Sequence, residues 1–372
     1  MRRQIGSAVT GRQALILSGR FGKGHDTVAE ASAAALATLG IETRIVDSIA
    51  LLGGPGGAAG DRVFRTLLSS APLYDAFHFS QLRTGSRLAR FLDRVALRSM
   101  YPRFLREVTA EPPELILSVF ATGAAAAARY KATNPATVSV VFITDSYAHR
   151  LWVHEGTDLF LVTSELCAHA VRSFRPDARV VVVTHPTRPA FYDAPTQAMA
   201  RAALGVPEGA RCVLLMSGAW GIGPIAECAQ ALAAAGVWVL AVAGSNRRLA
   251  DRLAASARAD AKIVPFGYTD RVPERMAASD VVVSSSGDTC REARVVGRGL
   301  VLLDVVPGHG RENLNHELEL GNAVVSLPEP SLVAACVRRF FDDGRHLEVV
   351  AEQAPRRWEH ELLVALATVG VS

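Results

Sequence analysis

The sequence predicts an α/β protein made of two domains, each built around a largely parallel sheet. Short apolar runs alternate with helical patterns along the chain, and this alternation is typical of parallel sheets. A glycine-rich turn follows the first apolar run of each half, and the proline-rich segment 185–193 separates the halves. The length of 372 residues also exceeds the size at which a single core usually stops growing.

These features place the domain boundaries and the binding cleft. We expect a first domain at residues 1–190 and a second at residues 191–350. The last segment, 351–372, has an amphipathic pattern with Trp358 and is expected to pack back on the first domain. Because the two glycine-rich turns give each half a ligand-facing sheet edge, the cleft between the halves is the natural site.

The composition excludes several classes of function. A net charge of +4 with 6% aromatic residues is too little for a nucleic-acid-binding surface. The five cysteines show no CxxC spacing, so we expect no zinc site or disulfide framework, but reduced thiols in a cytoplasmic protein. No apolar run reaches about 18 residues, and the N-terminus lacks the apolar centre of a signal peptide, so we expect no membrane span.

The first glycine-rich turn places a histidine at a sheet edge. A predicted strand at residues 14–17 leads through residues 18–25 to an alanine-rich helix at residues 26–39. The glycines let the backbone approach a ligand, and they place His25 where it could deprotonate a hydroxyl. The third glycine of a dinucleotide-binding turn is missing, which disfavours a nicotinamide site. A merely solvated or core histidine is the alternative.

Further strands bring other polar side chains to the same edge. We predict strands at residues 41–47, 115–120, 138–144, 159–163 and 180–184. Asp145, His149 and Trp152 then lie in loops at the carboxyl edge that also carries His25. A carboxylate there can orient an imidazole or take a proton, although an isolated Asp is often only a helix cap.

A basic segment at residues 61–107 holds nine Arg and four acidic residues. Within it, arginines recur at helical spacing beside an apolar stripe: Arg87, Arg90, Arg94 and Arg98 next to Leu88, Phe91, Leu92 and Val95. Such a helix suits an anionic bilayer surface. The alternative is a surface helix whose apolar stripe faces its own core.

The second half contains the stretch that most clearly indicates a ligand. We predict strands in this half at residues 212–216, 237–243, 262–265, 281–283 and 300–304, and the stretch lies between the last two. Residues 284–292 break into small residues and open a helix, whose N-terminus favours a phosphate. Glu292 could accept two ribose hydroxyls, and His309 and Asn313 could bind a polyhydroxylated group. Together they suggest a sugar nucleotide, although small residues end many strands.

The ordered set of motifs over residues 14–326 resembles a glycosyltransferase family. The family contains bacterial diacylglycerol glucosyltransferases and plant monogalactosyldiacylglycerol synthases, and it is related to the N-acetylglucosaminyltransferase that completes the lipid-linked peptidoglycan precursor. The matching motifs are Gly22-Lys-Gly-His25, Pro72-Leu-Tyr-Asp75, Thr144-Asp145, Phe266-Gly-Tyr-Thr269, Gly287 with Thr289 and Glu292, and Arg311-Glu-Asn313.

The resemblance implies a GT-B fold of two facing Rossmann-like domains, with a UDP-sugar held mainly by the second domain and a lipid acceptor by the first. It implies His25 as the base, with Asp145 as its partner or as the base itself. It also implies a set of donor-binding residues: Gly218, Gly221 and Gly223 at the diphosphate, Tyr268 and Thr269 at the uracil, Gly287 and Thr289 in the donor loop, Glu292 at the ribose, and His309 and Asn313 at the sugar. We place the acceptor or membrane at Arg87, Arg90, Phe91, Arg94, His149 and Trp152, and expect no cofactor and no metal.

The sequence departs from the family pattern where the donor would bind. The family's Lys-Pro-Gly-Gly is Ser284-Ser-Ser-Gly287, so a lysine that could neutralise phosphate is absent. The Gln-Glu pair after Pro-Gly is His309-Gly310, and the triple glycine is Ser217-Gly-Ala219. The donor hexose therefore stays unassigned.

The resulting hypothesis is an inverting glycosyltransferase that moves a hexosyl group from a UDP-sugar to a diacylglycerol-like or other hydrophobic acceptor. It would work at the inner, cytoplasmic face of the cell membrane as a peripheral protein. One alternative is a UDP-sugar epimerase or hydrolase of the same fold. Another is a catalytically silent protein that binds a sugar nucleotide or a membrane.

Overall fold

The protein contains two six-stranded parallel sheets covered by helices, which confirms the predicted fold class. The computed structural model describes residues 12–19, 24–53, 78–83, 85–216, 223–306, 308–321, 323–345 and 357–372. Six of its strands carry nearly continuous buried apolar runs, as expected when helices cover both faces of a sheet: residues 13–18, 115–118, 159–162, 212–216, 281–284 and 299–303.

The first sheet has the strand order β2-β1-β3-β4-β5-β6, and each neighbouring pair is parallel. Its strands are β1 Gln13–Ser18, β2 Glu42–Asp47, β3 Leu115–Ser118, β4 Val138–Phe142, β5 Leu159–Val162 and β6 Val180–Val182. Its helices are α1 Gly24–Ala37, α2 Arg87–Ala110, α3 Ala121–Thr133 and α4 Glu165–Phe174. Short helical turns lie at Ala50–Leu52, His78–Leu82 and Arg150–Trp152.

The second sheet has the order β12-β11-β10-β7-β8-β9, and its neighbouring pairs are also parallel. Its strands are β7 Cys212–Met216, β8 Trp238–Val242, β9 Ile263–Phe266, β10 Val281–Ser284, β11 Gly299–Leu303 and β12 Ala323–Ser326. The linker and second domain carry α5 Pro189–Tyr192, α6 Gln197–Leu204, α7 Ile225–Ala234, α8 Arg247–Ala259, α9 Val272–Ala278, α10 Asp288–Val296, α11 His309–Glu319 and α12 Pro330–Asp342.

A last helix, α13 Arg357–Ala367, lies against α1 of the first domain. Its residues Trp358, Leu362 and Leu366 are buried in the same apolar cluster as Ile16 of β1. The ring of Trp358 meets that of Phe142 with centroids 4.8 Å apart. The chain therefore returns to the first sheet after completing the second.

The strand orders determine where a ligand fits. The order reverses between β1 and β3 in the first sheet and between β7 and β10 in the second. In open parallel sheets, ligands bind outside the carboxyl ends of the strands at such a reversal. The loops after β1, β3, β7 and β10 are thus the expected walls of the site.

Candidate active site

The two reversal points meet across one cleft. The carboxylate of Asp288, the first residue of α10, lies so close to Gly24 of α1 that a Cβ on Gly24 would stand 2.3 Å from its Oδ2. His185 Nε2, in the linker, lies 3.7 Å from Asp288 Oδ1. A side chain at residue 24 would therefore require the Asp288 carboxylate to move.

His25 lies at the start of α1 with a fixed ring orientation. Its Nδ1 is 3.0 Å from the backbone oxygen of Val119 and 3.4 Å from Thr144 Oγ1. Because a carbonyl oxygen only accepts, the proton lies on Nδ1 and the lone pair lies on Nε2. The edge of the Phe120 ring packs against the imidazole at 5.0 Å between centroids.

The electrostatic setting keeps His25 neutral. Burial lowers the pKa of His25, and the negative charges of Asp145 and Asp288 oppose that effect only in part. A neutral imidazole with an accessible lone pair at ordinary pH is the form required of a general base.

Asp145 follows β4 and is held by its own loop. Its Oδ2 accepts a hydrogen bond from Trp152 Nε1 at 2.8 Å and lies 3.4 Å from His149 Nε2. Its effect on His25 is exerted through charge, while the hydrogen bonds that orient the imidazole come from Val119 and Thr144.

Trp152 and His149, which the sequence assigns to the acceptor or membrane, are mostly buried beside Asp145. Trp152 is 2% exposed and His149 is 9% exposed, so neither offers a surface to a lipid. Trp152 belongs to a buried apolar cluster and uses its only donor on Asp145. Both side chains therefore act as supports for the carboxylate.

On the opposite side of the cleft, Glu292 lies one turn into α10. Its Oε1 accepts a hydrogen bond from Arg188 Nη2 at 3.0 Å, and the Arg188 guanidinium stacks over Phe191 at 4.9 Å. Burial raises the pKa of Glu292 to about 7, against the lowering effect of Arg188. Asp288 adds to the rise, so a single carboxylate acts on both Glu292 and His25.

The N-terminus of α10 is the predicted phosphate site, and it begins with small residues. Gly287 occupies the N-cap position and Thr289, in the first turn, is 9% exposed. Ser284, at the position of the absent lysine, is fully buried as the last residue of β10. The positive charge of a lysine is thus absent at this position.

The other predicted donor residues occupy varied positions. Tyr268 lies after β9 and is 60% exposed, and Thr269 Oγ1 accepts a hydrogen bond from the backbone N–H of Arg271. Gly223 has φ 101°, a backbone conformation that favours glycine. Gly218 and Gly221 lie outside the described residues.

Helix α11 contributes from the next loop. His309 is its first residue, and Asn313 lies one turn further. Asn313 Oδ1 accepts a hydrogen bond from the backbone N–H of Ser146 at 3.1 Å, across the cleft. Its predicted sugar-binding carboxamide is therefore already in contact with the loop that carries Asp145.

A cavity of about 360 Å³ lies between the strand ends of the first sheet and helices α10 and α11, within the size range of small-molecule sites. Its wall is rich in hydroxyl, amide and charged groups, including Thr144, Thr184, His185, Asp288, Arg291 and Asn313. Such a lining suits a polyhydroxylated ligand. In the described parts of the chain, no three His, Cys, Asp or Glu side chains converge as metal ligands.

Several residues of the site were not predicted from the sequence. His185, Arg188 and Asp288 form contacts across the cleft, and Val119 and Thr144 orient His25. Only Asp288 carried a signal, as an acidic residue in the first turn of a helix. The five cysteines are free and four of them are buried.

The sequence comparisons agree with the motifs. The model of the monogalactosyldiacylglycerol (MGDG) synthase family matches residues 25–173. A probable chloroplastic monogalactosyldiacylglycerol synthase of Nicotiana tabacum is 28% identical over 261 residues, covering 66% of this chain and 48% of the relative. The processive diacylglycerol beta-glucosyltransferase of Bacillus subtilis (strain 168) is 22% identical over 333 residues, 85% of this chain and 84% of that protein. The chain thus spans about half the length of the plant relative.

Solved structures show the same fold. MurG of Acinetobacter baumannii superimposes with a TM-score of 0.64 at 13% identity, covering 96% of this chain and 99% of MurG. Os79 from O. sativa in complex with UDP gives a TM-score of 0.61 at 15% identity, covering 95% and 94%. The fold is GT-B, and the predicted resemblance to this group of glycosyltransferases is confirmed.

Proposed function

We propose that the protein transfers a hexosyl group from a UDP-sugar to a diacylglycerol-type or other hydrophobic acceptor, with inversion at the anomeric carbon. The observation that carries this proposal is the close approach of Gly24, which precedes His25, to Asp288, in the first turn of the helix that bears Glu292. The charge of Asp288 raises the pKa of both His25 and Glu292. The names of the relatives support a glycolipid product, and the UDP complex of a structural neighbour supports the donor.

The chemistry follows from the positions of the side chains. His25 Nε2 takes the proton of the acceptor hydroxyl as that oxygen attacks the anomeric carbon. The bond from this carbon to the UDP oxygen breaks, and negative charge develops on the terminal phosphate. The N-terminus of α10 stabilises that charge with its backbone N–H groups and dipole.

Asp145 stabilises the imidazolium that this step creates. Its negative charge raises the pKa of His25, and the hydrogen bond from Trp152 keeps the carboxylate in place. Glu292 holds the ribose once the hydroxyls replace Arg188, and the side chains of the cavity hold the sugar.

The exposed surface of helix α2 is evidence that the acceptor resides in a membrane. Its apolar stripe faces outward, since Leu88 is 47%, Phe91 56%, Leu92 41% and Val95 48% exposed. The opposite face, with Met100 and Phe104, is buried against the first sheet. Arg87, Arg90 and Arg94 are exposed beside the stripe. No helix in the described residues is long and apolar enough to cross a bilayer.

We therefore propose that α2 lies on an anionic membrane surface at the cytoplasmic face, where each arginine contributes about 1 kcal/mol to binding. The exposed apolar side chains would enter the boundary between head groups and acyl chains. This placement would bring the cleft to a diacylglycerol acceptor.

A substrate panel tests the proposed activity. Purified protein is incubated with vesicles that contain diacylglycerol and with each of a set of UDP- and dTDP-sugars, and the lipids are analysed by mass spectrometry. We expect a glycosylated lipid with at least one UDP-hexose. Release of free hexose without a lipid product would favour the hydrolase alternative, and the absence of both turnover and calorimetric UDP binding would refute the proposal.

A liposome assay tests the membrane contact. The triple variant Arg87→Gln, Arg90→Gln, Arg94→Gln should bind anionic vesicles more weakly than the native protein, and native binding should weaken as salt is added. The matched control is Arg247→Gln, Arg248→Gln, Arg258→Gln on α8, three exposed arginines of the second domain. Equal losses in both triple variants would mean that α2 is not the membrane-binding surface.

A further inference from the structure

One carboxylate of the second domain is buried against the first. Glu312, on α11, has a side chain that is 8% exposed. Its Oε2 lies 2.8 Å from Nε2 of His78, whose side chain is 1% exposed, and its Oε1 lies 3.0 Å from Arg83 Nη1. Both partners precede α2 in the first domain, so this pair of contacts joins the domains.

The buried Glu312 carboxylate is stable only while the two domains stay in contact. A carboxylate removed from water is stabilised only while its partners remain close, and loss of one partner from a buried pair is costly. The partners of Glu312 come from a segment more than 200 residues away in sequence. Opening the cleft would therefore separate Glu312 from the Arg83 guanidinium and from the His78 imidazole.

The same contact reaches the loop that carries Asp145. The Arg83 guanidinium stacks over the ring of Tyr147 at 4.0 Å, and the ring of His78 meets that of His149 at 6.1 Å between centroids. His149 in turn lies beside Asp145. Glu312 is thus linked to the base region through stacked side chains.

The next residue of α11 makes a second contact with this loop. Asn313 Oδ1 accepts a hydrogen bond from the Ser146 backbone N–H at 3.1 Å. Two adjacent residues of α11 therefore contact the first domain, one through charge and one through a hydrogen bond. The helix that faces the sugar is aligned with the loop that faces the base.

We propose that Glu312 is a positioning residue. Its contacts with His78 and Arg83 hold α11 against the first domain, and this placement brings the transferred sugar next to His25. This inference rests on the proposed glycosyl transfer. Glu312 itself touches neither the base nor the phosphate site. Its role is to keep the sugar-binding helix aligned with the base His25. A misplacement of reacting groups by about 1 Å can lower a rate roughly 100-fold.

The variant Glu312→Gln tests this interdomain contact, because it keeps the shape of the side chain and removes its charge. The matched control is Glu319→Gln, at the exposed end of the same helix. We expect kcat of Glu312→Gln to fall about 10- to 100-fold while the KM for the UDP-sugar stays within about threefold, since Glu292 and the N-terminus of α10 are unchanged. Glu319→Gln should match the native protein in both constants.

Small-angle scattering gives a readout that needs no turnover. Glu312→Gln should have a larger radius of gyration than the native protein and the Glu319→Gln control. Arg83→Gln should show the same change, and the double variant should add little to either single variant, because both remove one interaction. This second variant keeps the test valid if Glu312→Gln fails to fold.

The outcomes separate this inference from the proposed function. Failure of the native protein to use any UDP-sugar would refute the proposed transferase activity. The scattering test of the contact between Glu312 and the first domain would still be valid. If Glu312→Gln and Arg83→Gln equal the Glu319→Gln control in kcat and in radius of gyration, Glu312 has no positioning role.

Discussion

On the first-domain side of the cleft, His25 and Asp145 are oriented by residues of their own domain, namely Val119, Thr144 and Trp152. On the second-domain side, Glu292, Asn313 and Glu312 are held by Arg188, Ser146 and His78, which all precede the second domain. The base side is thus set before any ligand arrives. The donor side depends on how the two domains meet.

Because of this difference, we expect the two sides of the cleft to respond differently to substitution. A change on the base side should alter the chemical step and leave donor binding intact. A change on the donor side should alter affinity or alignment. Three further experiments exploit the contrast.

The largest effect is expected on the base side, for His25→Ala. Loss of a positioned general base should lower kcat roughly 10²- to 10⁴-fold, with UDP affinity by calorimetry within about twofold, because the donor residues lie on the other domain. His169→Ala, an exposed histidine on α4, is the control and should be unchanged. A His25→Ala variant with native kcat would remove this imidazole from the mechanism.

On the donor side, affinity should depend on the protonation of Glu292. Burial raises the pKa of Glu292 to about 7, so the carboxyl holds a proton below that pH and loses an acceptor for the ribose hydroxyls. Uridine affinity should therefore fall as pH is lowered from about 8 to about 6, by at most about tenfold per pH unit. Uridine is the probe because it lacks a phosphate, whose own second pKa is about 6.

Glu292→Gln is the control for this titration. It should bind uridine weakly at every pH, since its neutral amide does not titrate. A pH dependence that survives in Glu292→Gln would assign the titration to another group.

The smallest of the three effects is expected for Trp152→Phe, which keeps an aromatic ring but removes the N–H donated to Asp145. A hydrogen bond to a charged group contributes about 1.5–3 kcal/mol. Because Asp145 acts on His25 through charge, only part of this energy should appear in kcat, and we expect a several-fold fall, at most about tenfold. Trp358→Phe is the control, because the Trp358 Nε1 is buried without a hydrogen-bond partner among the described residues. Equal kcat values for the two variants would show that the bond to Asp145 is unimportant.

The fold was largely predictable because buried parallel strands are short continuous apolar runs. Strands such as Cys212–Met216 matched the predicted bounds, and others differed by one or two residues. Strand β12 was missed because it is a four-residue edge strand with only two buried residues, so it lacks that signal.

The placement of the site residues was predictable only where a residue lies shortly after a predicted strand. The positions of His25, Asp145 and Glu292 near strand ends follow in this way, and their roles in the reaction stay predictions. The contacts of Asp288 with Gly24 and of Arg188 with Glu292 join distant parts of the sequence, so no local pattern could reveal them. Trp152 was predicted to lie in a loop at the carboxyl edge of the sheet, but no local pattern indicated that its ring is buried.

The most direct test of the shared cleft is a crystal structure of the protein with UDP bound. We expect the ribose hydroxyls within hydrogen-bonding distance of Glu292, in place of Arg188. We also expect the terminal phosphate at the N-terminus of α10, on the side that faces His25 Nε2. UDP bound away from α10, or bound there with His25 turned to a separate surface, would contradict this expectation.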